Sequence, residues 1–390
     1  MSKIAIIMTL PAEYNTSSMI RCRGIINSWA NQGHDIKCYM PNADKNSKYF
    51  SNGISLEGID IMRFGKIIQS GEIAKSNAVG STSLKGKIKG ILYRMFKKLD
   101  VFGSTLLYLP DRKKISDDIR KNRFDILITF SDPMTAHMLG KYCKRHNKGI
   151  YYIQQWGDPL ASDTISKIAQ PVWLRKIIEN SLIKSASRIC YVSPFTCEEQ
   201  KKIFPKQAGK MIFLPTPSVP YNESAEIRQH NSLCLGYFGS YNSVARNLIP
   251  FYEAVKECPD VTALIIGDSD LRLQETSNIK VLQRVSQEEL SKHMANIDVI
   301  VCLMNIKGNQ IPGKVYHDAS STKDIMFIKD GEYGDQIETF FERYQHYTFV
   351  CNDKEAIKAA IKNYIVNGVP IRKPVEAFMA SSIATQLISH

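Results

Sequence analysis

The chain has 390 residues, a length that predicts two domains rather than a single core. Apolar residues make up 44% and charged residues 23%, which is close to the average for soluble domains and excludes the disordered and fibrous classes. The formal net charge of +13 favours an anionic partner, namely a membrane surface, a nucleic acid or a phosphorylated substrate.

Short apolar, β-branched runs alternate with helical patterns along both halves of the chain. The first half contains KIAIIMT, DIKCYM, FDILITF, GIYYIQQ and RICYVS, and the second half contains LCLGYFG, VTALIIG, IKVLQ, IDVIVCL and DIMFI. Near-continuous apolarity is typical of strands that are buried on both faces of a parallel sheet. The pattern therefore predicts an α/β fold with two doubly wound, Rossmann-like halves.

The domain boundaries follow from a change of composition between Leu214 and Leu233. This stretch is rich in Pro, Ser, Asn and charged residues and has no periodicity, which is typical of a linker. We predict an N-terminal domain over 1–218, a linker over 219–231, a second domain over 232–370 and a C-terminal helix within 371–390.

Cysteine usage and the apolar runs bear on location. The nine cysteines show no CxxC pair and no metal-ligand spacing, so we expect reduced thiols in a cytoplasmic protein. The apolar run in MSKIAIIMTLPAEY is too short for a signal peptide, and no run is as long as a membrane-spanning helix. Contact with a membrane is therefore expected from the cytoplasmic side.

A basic amphipathic pattern interrupts the α/β alternation in SLKGKIKGILYRMFKKLD. Its apolar residues recur at helical spacing on one face, and no acidic residue stands among its cations, which are Lys85, Lys87, Lys89, Arg94, Lys97 and Lys98. This pattern predicts a helix that lies in an anionic membrane interface. The alternative is a surface helix whose apolar stripe packs on its own domain.

A further strand end with a polar group lies in YYIQQWGDPLAS, where Asp158 follows Trp156 and Gly157 at the end of an apolar strand. Asp158 either orients or deprotonates a substrate hydroxyl, or caps the next element through an Asp-Pro turn. We expect an exposed Trp156 indole that stacks on a sugar. His137 in SDPMTAHML is expected to be structural.

The second half opens with the strand–turn sequence GYFGSYNSVARN. The strand ends at Phe238, Gly239 and Ser240 make the turn, and a helix is expected to begin near Ala245 or Arg246. Free backbone N–H groups at that helix start, together with the Arg246 guanidinium, suit a diphosphate.

Two further strand ends carry polar groups. Asp268 follows Gly267 in ALIIGDSD and either accepts a hydrogen bond from a ribose or caps a following helix. Pro312 and Gly313 lead into Lys314 at the first turn of a helix. Because parallel strands end at one edge, we expect these loops to converge on a nucleotide diphosphate. Arg246 and Lys314 would stabilise it without a metal ion, and the alternative is a metal held through the acid spacing of GDSD.

The order and spacing of these motifs resemble glycosyltransferases of the GT-B fold, in particular the bacterial group that builds surface polysaccharides (glycosyltransferase group 1, family 4-like). The resembling segments include KIAIIMTLPAEYNTSSMIRCRGIINSWANQGHDIKCYMP, RICYVSPFTCEEQKKIF, NIKVLQRVSQEELSKHMANIDVIVCL and IPGKVYHDASSTKDIMFIKDG. The likeness covers most of the chain. It implies two Rossmann-like domains whose parallel sheets face each other across a cleft.

The resemblance also implies roles for individual residues. Arg246 and Lys314 would neutralise the donor diphosphate, and the backbone around Leu282 to Arg284 would read the base. The loop after the first strand, which contains Tyr14, would be open to the acceptor.

Two positions depart from the family pattern. Ser240 stands where the family often has arginine, so one phosphate contact is either missing or supplied by a neighbour. His317 stands where a glutamate usually holds the donor ribose. Either Asp318 takes that role with a small shift, or the donor is held differently.

The resemblance implies a hexosyltransferase that uses a UDP-, GDP- or other nucleotide-sugar, with no further cofactor and no metal. Its acceptor would be a glycan or a lipid-linked glycan of a capsule, O-antigen or similar surface polysaccharide, and the enzyme would lie peripherally on the inner face of the cell membrane. The alternatives are a nucleotide-sugar epimerase of the same fold and a non-catalytic nucleotide-sugar or glycan-binding partner of a polysaccharide assembly complex. Nucleic acid is not an expected partner, because no aromatic platform is interleaved with the basic residues.

Overall fold

A computed structural model of the chain describes residues 1–65, 105–131, 133–162, 170–219 and 232–389. The predicted basic helix with its cations from Lys85 to Lys98 lies outside these ranges, and so do residues 220–231 of the predicted linker. The chain divides into two compact units. The first comprises Met1–Leu214 with Ala384–His390, and the second comprises Pro215–Ile383.

The first unit contains a sheet of seven parallel strands in the order β3-β2-β1-β4-β5-β6-β7. The strand bounds are β1 Lys3–Ile7, β2 Asp35–Pro41, β3 Asp60–Phe64, β4 Ile126–Phe130, β5 Tyr151–Trp156, β6 Arg188–Tyr191 and β7 Met211–Phe213. Every residue of β4 is buried, as the continuous apolar run predicts.

Helices of the first unit connect successive strands. They are α1 Ser17–Asn31, α2 Arg112–Asn122, α3 Thr135–His146, α4 Val172–Ile183 and α5 Pro194–Ile203. Their starts follow from capping chemistry where a cap is present: Thr16 Oγ1 accepts from the N–H of Met19, and Ser193 Oγ accepts from the N–H of Thr196.

The second unit contains six parallel strands in the order β10-β9-β8-β11-β12-β13. The strand bounds are β8 Leu233–Phe238, β9 Val261–Ile266, β10 Ile279–Leu282, β11 Val299–Leu303, β12 Asp324–Lys329 and β13 Tyr347–Cys351. The remaining helix bounds are α6 Ile249–Lys256, α7 Gln287–Ala295, α8 Gly313–His317, α9 Gly334–Glu342, α10 Lys354–Asn367 and α11 Ala380–Ile388, of which α11 passes into the first unit at Ala384.

In both sheets, the direction in which successive strands are added reverses at the middle of the sheet, while all strands remain parallel. The chain runs outward from β1 to β3 and then returns to the other side of β1 with β4, and β8 and β11 repeat this arrangement in the second unit. Such a reversal is the switch point at which open α/β sheets bind ligands, beyond the carboxyl ends of the strands. The predicted α/β class with two parallel, Rossmann-like sheets is confirmed.

All ten predicted strands are present, and the sequence analysis missed three, β3, β7 and β13. Each of the three lies at an edge of its sheet. Edge strands are only partly covered, and the five residues of β3 include one that is buried. A strand in that position does not need the continuous apolarity on which the prediction was based.

The end of the chain returns to the first unit. Trp29 of α1 donates from Nε1 to the carbonyl of Ala384 at 2.8 Å, and Leu387 is fully buried. No helix within the described ranges combines the length and the apolarity that crossing a membrane requires.

Candidate functional site

The candidate site lies at the carboxyl edge of the second sheet, where the loops after β8 and β11 flank the switch point. A backbone hydrogen bond to the neighbouring strand fixes the first residue of each loop. The N–H of Gly239 donates to the carbonyl of Ile266 at 2.9 Å, and the N–H of Met304 donates to that of Ile328 at 3.0 Å.

The loop after β9 packs directly on the Gly239 turn. A Cβ atom at Gly267 would stand 1.9 Å from the Gly239 carbonyl oxygen, so only glycine allows the two backbones to approach this closely. The N–H of Gly267 donates to the carbonyl of Leu282 at 3.1 Å. The predicted diphosphate and base-reading segments therefore share one edge.

Arg246 is half-buried and is held by both loops. Its Nε donates to Asn305 Oδ1 at 2.8 Å, and its Nη1 lies 3.4 Å from the Ser240 carbonyl, which also accepts from the Tyr237 hydroxyl at 3.1 Å. Within the described ranges the guanidinium forms no ion pair with a carboxylate. Its charge is thus positioned but not neutralised.

Lys314 extends over the same turn. Its Cδ and Cε lie 3.5 and 3.6 Å from the place where a Cβ of Gly239 would stand. It too forms no ion pair with a carboxylate among the described residues. The two cations are close enough together to act on one thiol: burial raises the pKa of Cys302 and Asp318 raises it further, while Lys314 and Arg246 act in the opposite direction.

The sequence analysis missed Asn305, which connects the two loops. Its Oδ1 accepts from Arg246, and its Nδ2 donates to the carbonyl of Gln310 at 3.1 Å, on the way to Lys314. The N–H of Ile306 also donates to the carbonyl of Ala245 at 2.9 Å. An asparagine two residues after the end of a buried strand was the available signal in the sequence.

The expected helix start near Ala245 or Arg246 is wrong. Helix α6 begins at Ile249, with Pro250 in its first turn, and the residues before it form a turn around Asn242. The Asn242 Oδ1 accepts from the N–H of Ala245 at 2.6 Å. Since this asparagine stabilises a turn rather than a helix, Arg246 projects from the loop.

The helix dipole adds little at Lys314, because α8 has only five residues. Pro312 is its N-cap residue and Gly313 its first residue, as predicted. The side-chain cations, rather than helix termini, therefore supply the positive charge at this edge.

The capping alternative for Asp268 is wrong, since the next element is β10 and not a helix. The Asp268 carboxylate instead accepts from Arg284 Nε at 3.3 Å, and both side chains are exposed. That Asp268 accepts a hydrogen bond from a ribose hydroxyl stays a prediction.

His317 is the last residue of α8 and Asp318 follows it, and both are buried, with 5% and 1% of their surfaces exposed. The Asp318 carboxylate lies 3.9 Å from the Cys302 thiol, and the His317 carbonyl accepts from the N–H of Val219. The ribose contact stays a prediction that this burial argues against.

In the first unit, the expected exposed indole of Trp156 is wrong, because Trp156 is fully buried. Its ring lies 4.4 Å from that of His137, and its Nε1 donates to Gln154 Oε1. Tyr152, Gln154 and Trp156 alternate along β5 and face the core, so the strand pattern continues to its last residue. His137 is buried as well, with a pKa that burial and then Arg21 lower to about 3.

Asp158 is exposed two residues after the end of β5, on a loop that buried side chains hold in place. Glu179 Oε2 accepts from the N–H of Ala161 at 2.6 Å, and Gln200 Nε2 donates to Ser162 Oγ at 2.8 Å. Burial raises the pKa of Glu179 to about 8. The N–H of Gly157 is held by Ser131 Oγ.

Tyr14 lies in the loop before α1, and Arg21 lies in the first half of α1. The Tyr14 hydroxyl accepts from the N–H of Asp44 at 3.2 Å, and the side chain is half-buried. The sequence analysis missed Arg21, which is 6% exposed and donates from Nη2 to the Ser131 carbonyl at 2.8 Å. No described carboxylate pairs with this guanidinium.

Metal-ligating side chains are not grouped at either edge. Within the described ranges, no cluster of three or more His, Cys, Asp or Glu residues could hold a metal ion.

Neither a protein-family model nor a curated protein matches this sequence. Solved structures do match over nearly the whole chain. Sucrose-phosphate synthase from Thermosynechococcus elongatus is 14% identical with a TM-score of 0.62, covering 99% of this chain and 97% of that one. The lipopolysaccharide outer core galactosyltransferase WaaB is 10% identical with a TM-score of 0.54, covering 98% and 97%.

A third similar structure is an epimerase. UDP-GlcNAc 2-epimerase from Neisseria meningitidis, bound to UDP-GlcNAc, is 11% identical with a TM-score of 0.56, and 99% of each chain is covered. At these identities the likeness shows the fold, and the predicted resemblance to the GT-B fold is confirmed.

Proposed function

We propose that the chain is a glycosyltransferase that moves a hexosyl group from a nucleotide-sugar to a glycan or lipid-linked acceptor. The observation that carries the proposal is the pair Arg246 and Lys314. Both cations lie over the Gly239 turn at the switch point of the second sheet, and neither has an acidic partner in the described part of the chain. An anionic ligand is the missing counter-charge.

The chemistry of transfer uses this arrangement directly. The bond between the anomeric carbon and the diphosphate oxygen breaks, a bond to the acceptor oxygen forms, and the acceptor hydroxyl loses its proton. The leaving nucleoside diphosphate gains negative charge as that bond breaks. Cations already in place stabilise it most at that moment, and Arg246 and Lys314 can do so without a metal ion.

Asp158 is the proposed acceptor-side group. Its carboxylate is exposed at the carboxyl end of β5, and its loop is tied down by Glu179, Gln200 and Ser131. A carboxylate in a fixed loop can orient an acceptor hydroxyl, and it can accept the proton in an inverting reaction. We expect Asp158→Asn to reduce transfer while leaving nucleotide binding unchanged.

The acceptor class is proposed to be a bacterial surface polysaccharide at the cytoplasmic face of the membrane. The likeness to a lipopolysaccharide galactosyltransferase and the net charge of +13 support this assignment. A basic protein is drawn to an anionic leaflet, where lipid-linked acceptors are found.

A nucleotide-sugar 2-epimerase is the second candidate, favoured by the likeness to an epimerase over 99% of each chain. It would use the same two cations and the same ligand. The two functions differ in whether a second substrate is consumed, so product analysis separates them.

The first experiment is a thermal-shift panel of the full chain with UDP, GDP, CMP, ADP and dTDP, each alone and as a sugar conjugate. We expect one nucleotide to raise the melting temperature, and Lys314→Ala and Arg246→Gln each to reduce that rise. Lys362→Ala removes an exposed cation from α10 and is the matched control. A shift of unreduced size in both site variants would contradict the proposed donor site.

The second experiment follows the stabilising nucleotide-sugar by proton NMR, with and without a crude lipid-linked glycan fraction. Release of the nucleotide only in the presence of the fraction indicates transfer. Conversion of the sugar to an epimer without the fraction identifies the second candidate and contradicts the first.

A further inference from the structure

An exposed apolar stripe runs along α4 in the first unit. Trp173 and Ile177 are 63% and 58% exposed, and they stand one helical turn apart on the same face. The chain has three tryptophans, and the other two, Trp29 and Trp156, are fully buried. An exposed indole beside an exposed isoleucine is typical of an interaction surface.

Cations surround this stripe. Lys176 lies between the two apolar residues in sequence, and Lys184 follows the helix. Lys141 of α3 reaches across to α4, donating from Nζ to Ser181 Oγ at 2.6 Å. Burial lowers the pKa of Lys141, and Arg145 and Lys184 lower it further, which places three like charges close together.

These cations have no acidic partner among the described residues. In the described part of the chain, none of Lys141, Arg145, Lys176 and Lys184 forms an ion pair. Glu179 is the acidic residue of α4, and it is fully buried against the core. By contrast, α10 places Lys354 and Lys358 on Glu257 at 2.8 Å each. The cations of α3 and α4 remain available to an external anion.

We infer that this surface, formed by Trp173, Ile177 and the four cations Lys141, Arg145, Lys176 and Lys184, binds an anionic lipid bilayer. Indole and isoleucine side chains insert at the level of the lipid headgroups, while lysine and arginine direct their charges to the phosphates around them. One sign of charge with no interspersed acid matches a bilayer better than a protein surface, whose charges are mixed.

The inference deepens the membrane partner of the proposed function and rests on that proposal only for its biological purpose. It uses residues other than the predicted basic helix of 85–98, and vesicle binding involves neither nucleotide nor sugar. Its failure and the failure of the glycosyltransferase proposal are therefore distinguishable.

The test is co-sedimentation of the full chain with vesicles of phosphatidylcholine alone or mixed with phosphatidylglycerol. We expect binding to the mixed vesicles, weakened by salt, and a blue shift of the emission of the exposed Trp173. The double variants Trp173→Ser with Ile177→Ser, and Lys141→Gln with Lys184→Gln, should each lower the partition coefficient roughly tenfold or more.

The matched control is Ile365→Ser with Val366→Ser, because these two side chains on α10 are 55% and 69% exposed and the helix's Lys354 and Lys358 are paired with Glu257. Thermal melting of each variant confirms that it is folded. A separate variant with Lys89, Arg94 and Lys97 changed to Gln reports on the predicted helix of 85–98.

Three results would overturn the inference. The first is unchanged binding by the Trp173 and Ile177 double variant, and the second is equal binding of the wild type to neutral and anionic vesicles. The third is a concentration-dependent dimer that this double variant abolishes without loss of vesicle binding, which would identify a second copy of the chain as the occupant.

Discussion

Arg21 and Arg246, each at an edge of its sheet, differ from other arginines of this chain in that they form no ion pair with a described carboxylate. Arg372 Nε donates to the buried Asp324 at 2.6 Å, and Arg63 forms an ion pair with Glu13. Arg21 and Arg246 instead donate to backbone carbonyls or amide oxygens, which orient a guanidinium but do not neutralise it. A cation that is held but unneutralised is what a binding site for an anion requires.

Two glycines of the candidate site give a paired prediction. Gly267→Ala should destabilise the second unit and abolish nucleotide binding, because its Cβ would stand 1.9 Å from the Gly239 carbonyl oxygen. Gly239→Ala should fold, since its Cβ would meet the Lys314 side chain at an ordinary 3.5 Å. Chemical unfolding and nucleotide titration of both variants check the prediction, and equal stability of the two would contradict it.

The buried carboxyl group of Glu179 should make the free energy of unfolding of the first unit depend on pH. Burial raises its pKa from 4.5 to about 8, so the proton is favoured in the folded state. This stabilisation is complete below the ordinary pKa and is lost as the pH rises through 8, and the difference corresponds to roughly 4 to 5 kcal/mol. Glu179→Gln keeps an acceptor for the Ala161 N–H but cannot ionise.

The free energy of unfolding should therefore fall more steeply between pH 5 and 8 in the wild type than in Glu179→Gln. Tryptophan fluorescence in a urea series at each pH measures it for the first unit, where all three tryptophans lie. Because the variant serves as the reference, other titrating groups cancel from the comparison. Parallel curves for the two proteins would contradict the assigned pKa.

At the scale of elements, the two loops of the candidate site act together through Asn305. Asn305→Ala removes the acceptor for Arg246 Nε, so we expect nucleotide affinity to fall about tenfold. Calorimetric titration with the stabilising nucleotide measures this change. In an Arg246→Gln background the same substitution should have no further effect, and additive losses would show that Asn305 acts independently of Arg246.

The sequence predicted the strands better than the loops. Buried strands such as β4 and β11 were found because burial on both faces requires unbroken apolarity. The helix expected at Arg246 was wrong because a turn around Asn242 competes locally with a helix start. The sequence also did not show that the last residue of β5 is buried. The apolar pattern of this strand continues to Trp156, whose side chain is buried and not exposed as expected.

The contacts that define the candidate site were out of reach for a different reason. Arg246 meets Asn305 across 59 positions of sequence, and Arg21 meets Ser131 across 110. Such partners are fixed by the order of the strands in the sheet, and no local pattern encodes that order. The positions of Gly239 and Lys314 could be predicted, because Gly239 directly follows a strand and Lys314 directly follows a Pro-Gly pair.

At the scale of the whole molecule, both units contain six strands in the same order, and the first sheet adds β7 at its edge. Each unit places an arginine that forms no ion pair with a described carboxylate near its switch point. Arg21 contacts the end of β4 in the first unit, and Arg246 bridges the loops after β8 and β11 in the second. A two-substrate enzyme needs one anion-tolerant edge for its donor and can use another for its acceptor. In the proposed function, the second unit binds the donor and the first unit presents Asp158 to the acceptor.

The division of the chain gives the last prediction. Residues 384–390 belong to the first unit, where Leu387 is fully buried and the Ala384 carbonyl accepts from Trp29. Their removal exposes apolar surface of α1 and leaves a buried indole N–H without its acceptor, which should cost about 3 kcal/mol or more. Tryptophan fluorescence should then melt at a lower temperature, because it reports on the first unit alone.

The second unit contains no tryptophan, and its candidate nucleotide site around Gly239 and Lys314 lies well before the deleted residues in sequence. The nucleotide-induced rise in the calorimetric transition should therefore persist in the truncated chain. Gln386→Ala is the control, because this residue is exposed in the same segment. An unchanged fluorescence melt after truncation would mean that the terminal residues do not stabilise the first unit, and loss of the nucleotide response would mean that the two units fold as one.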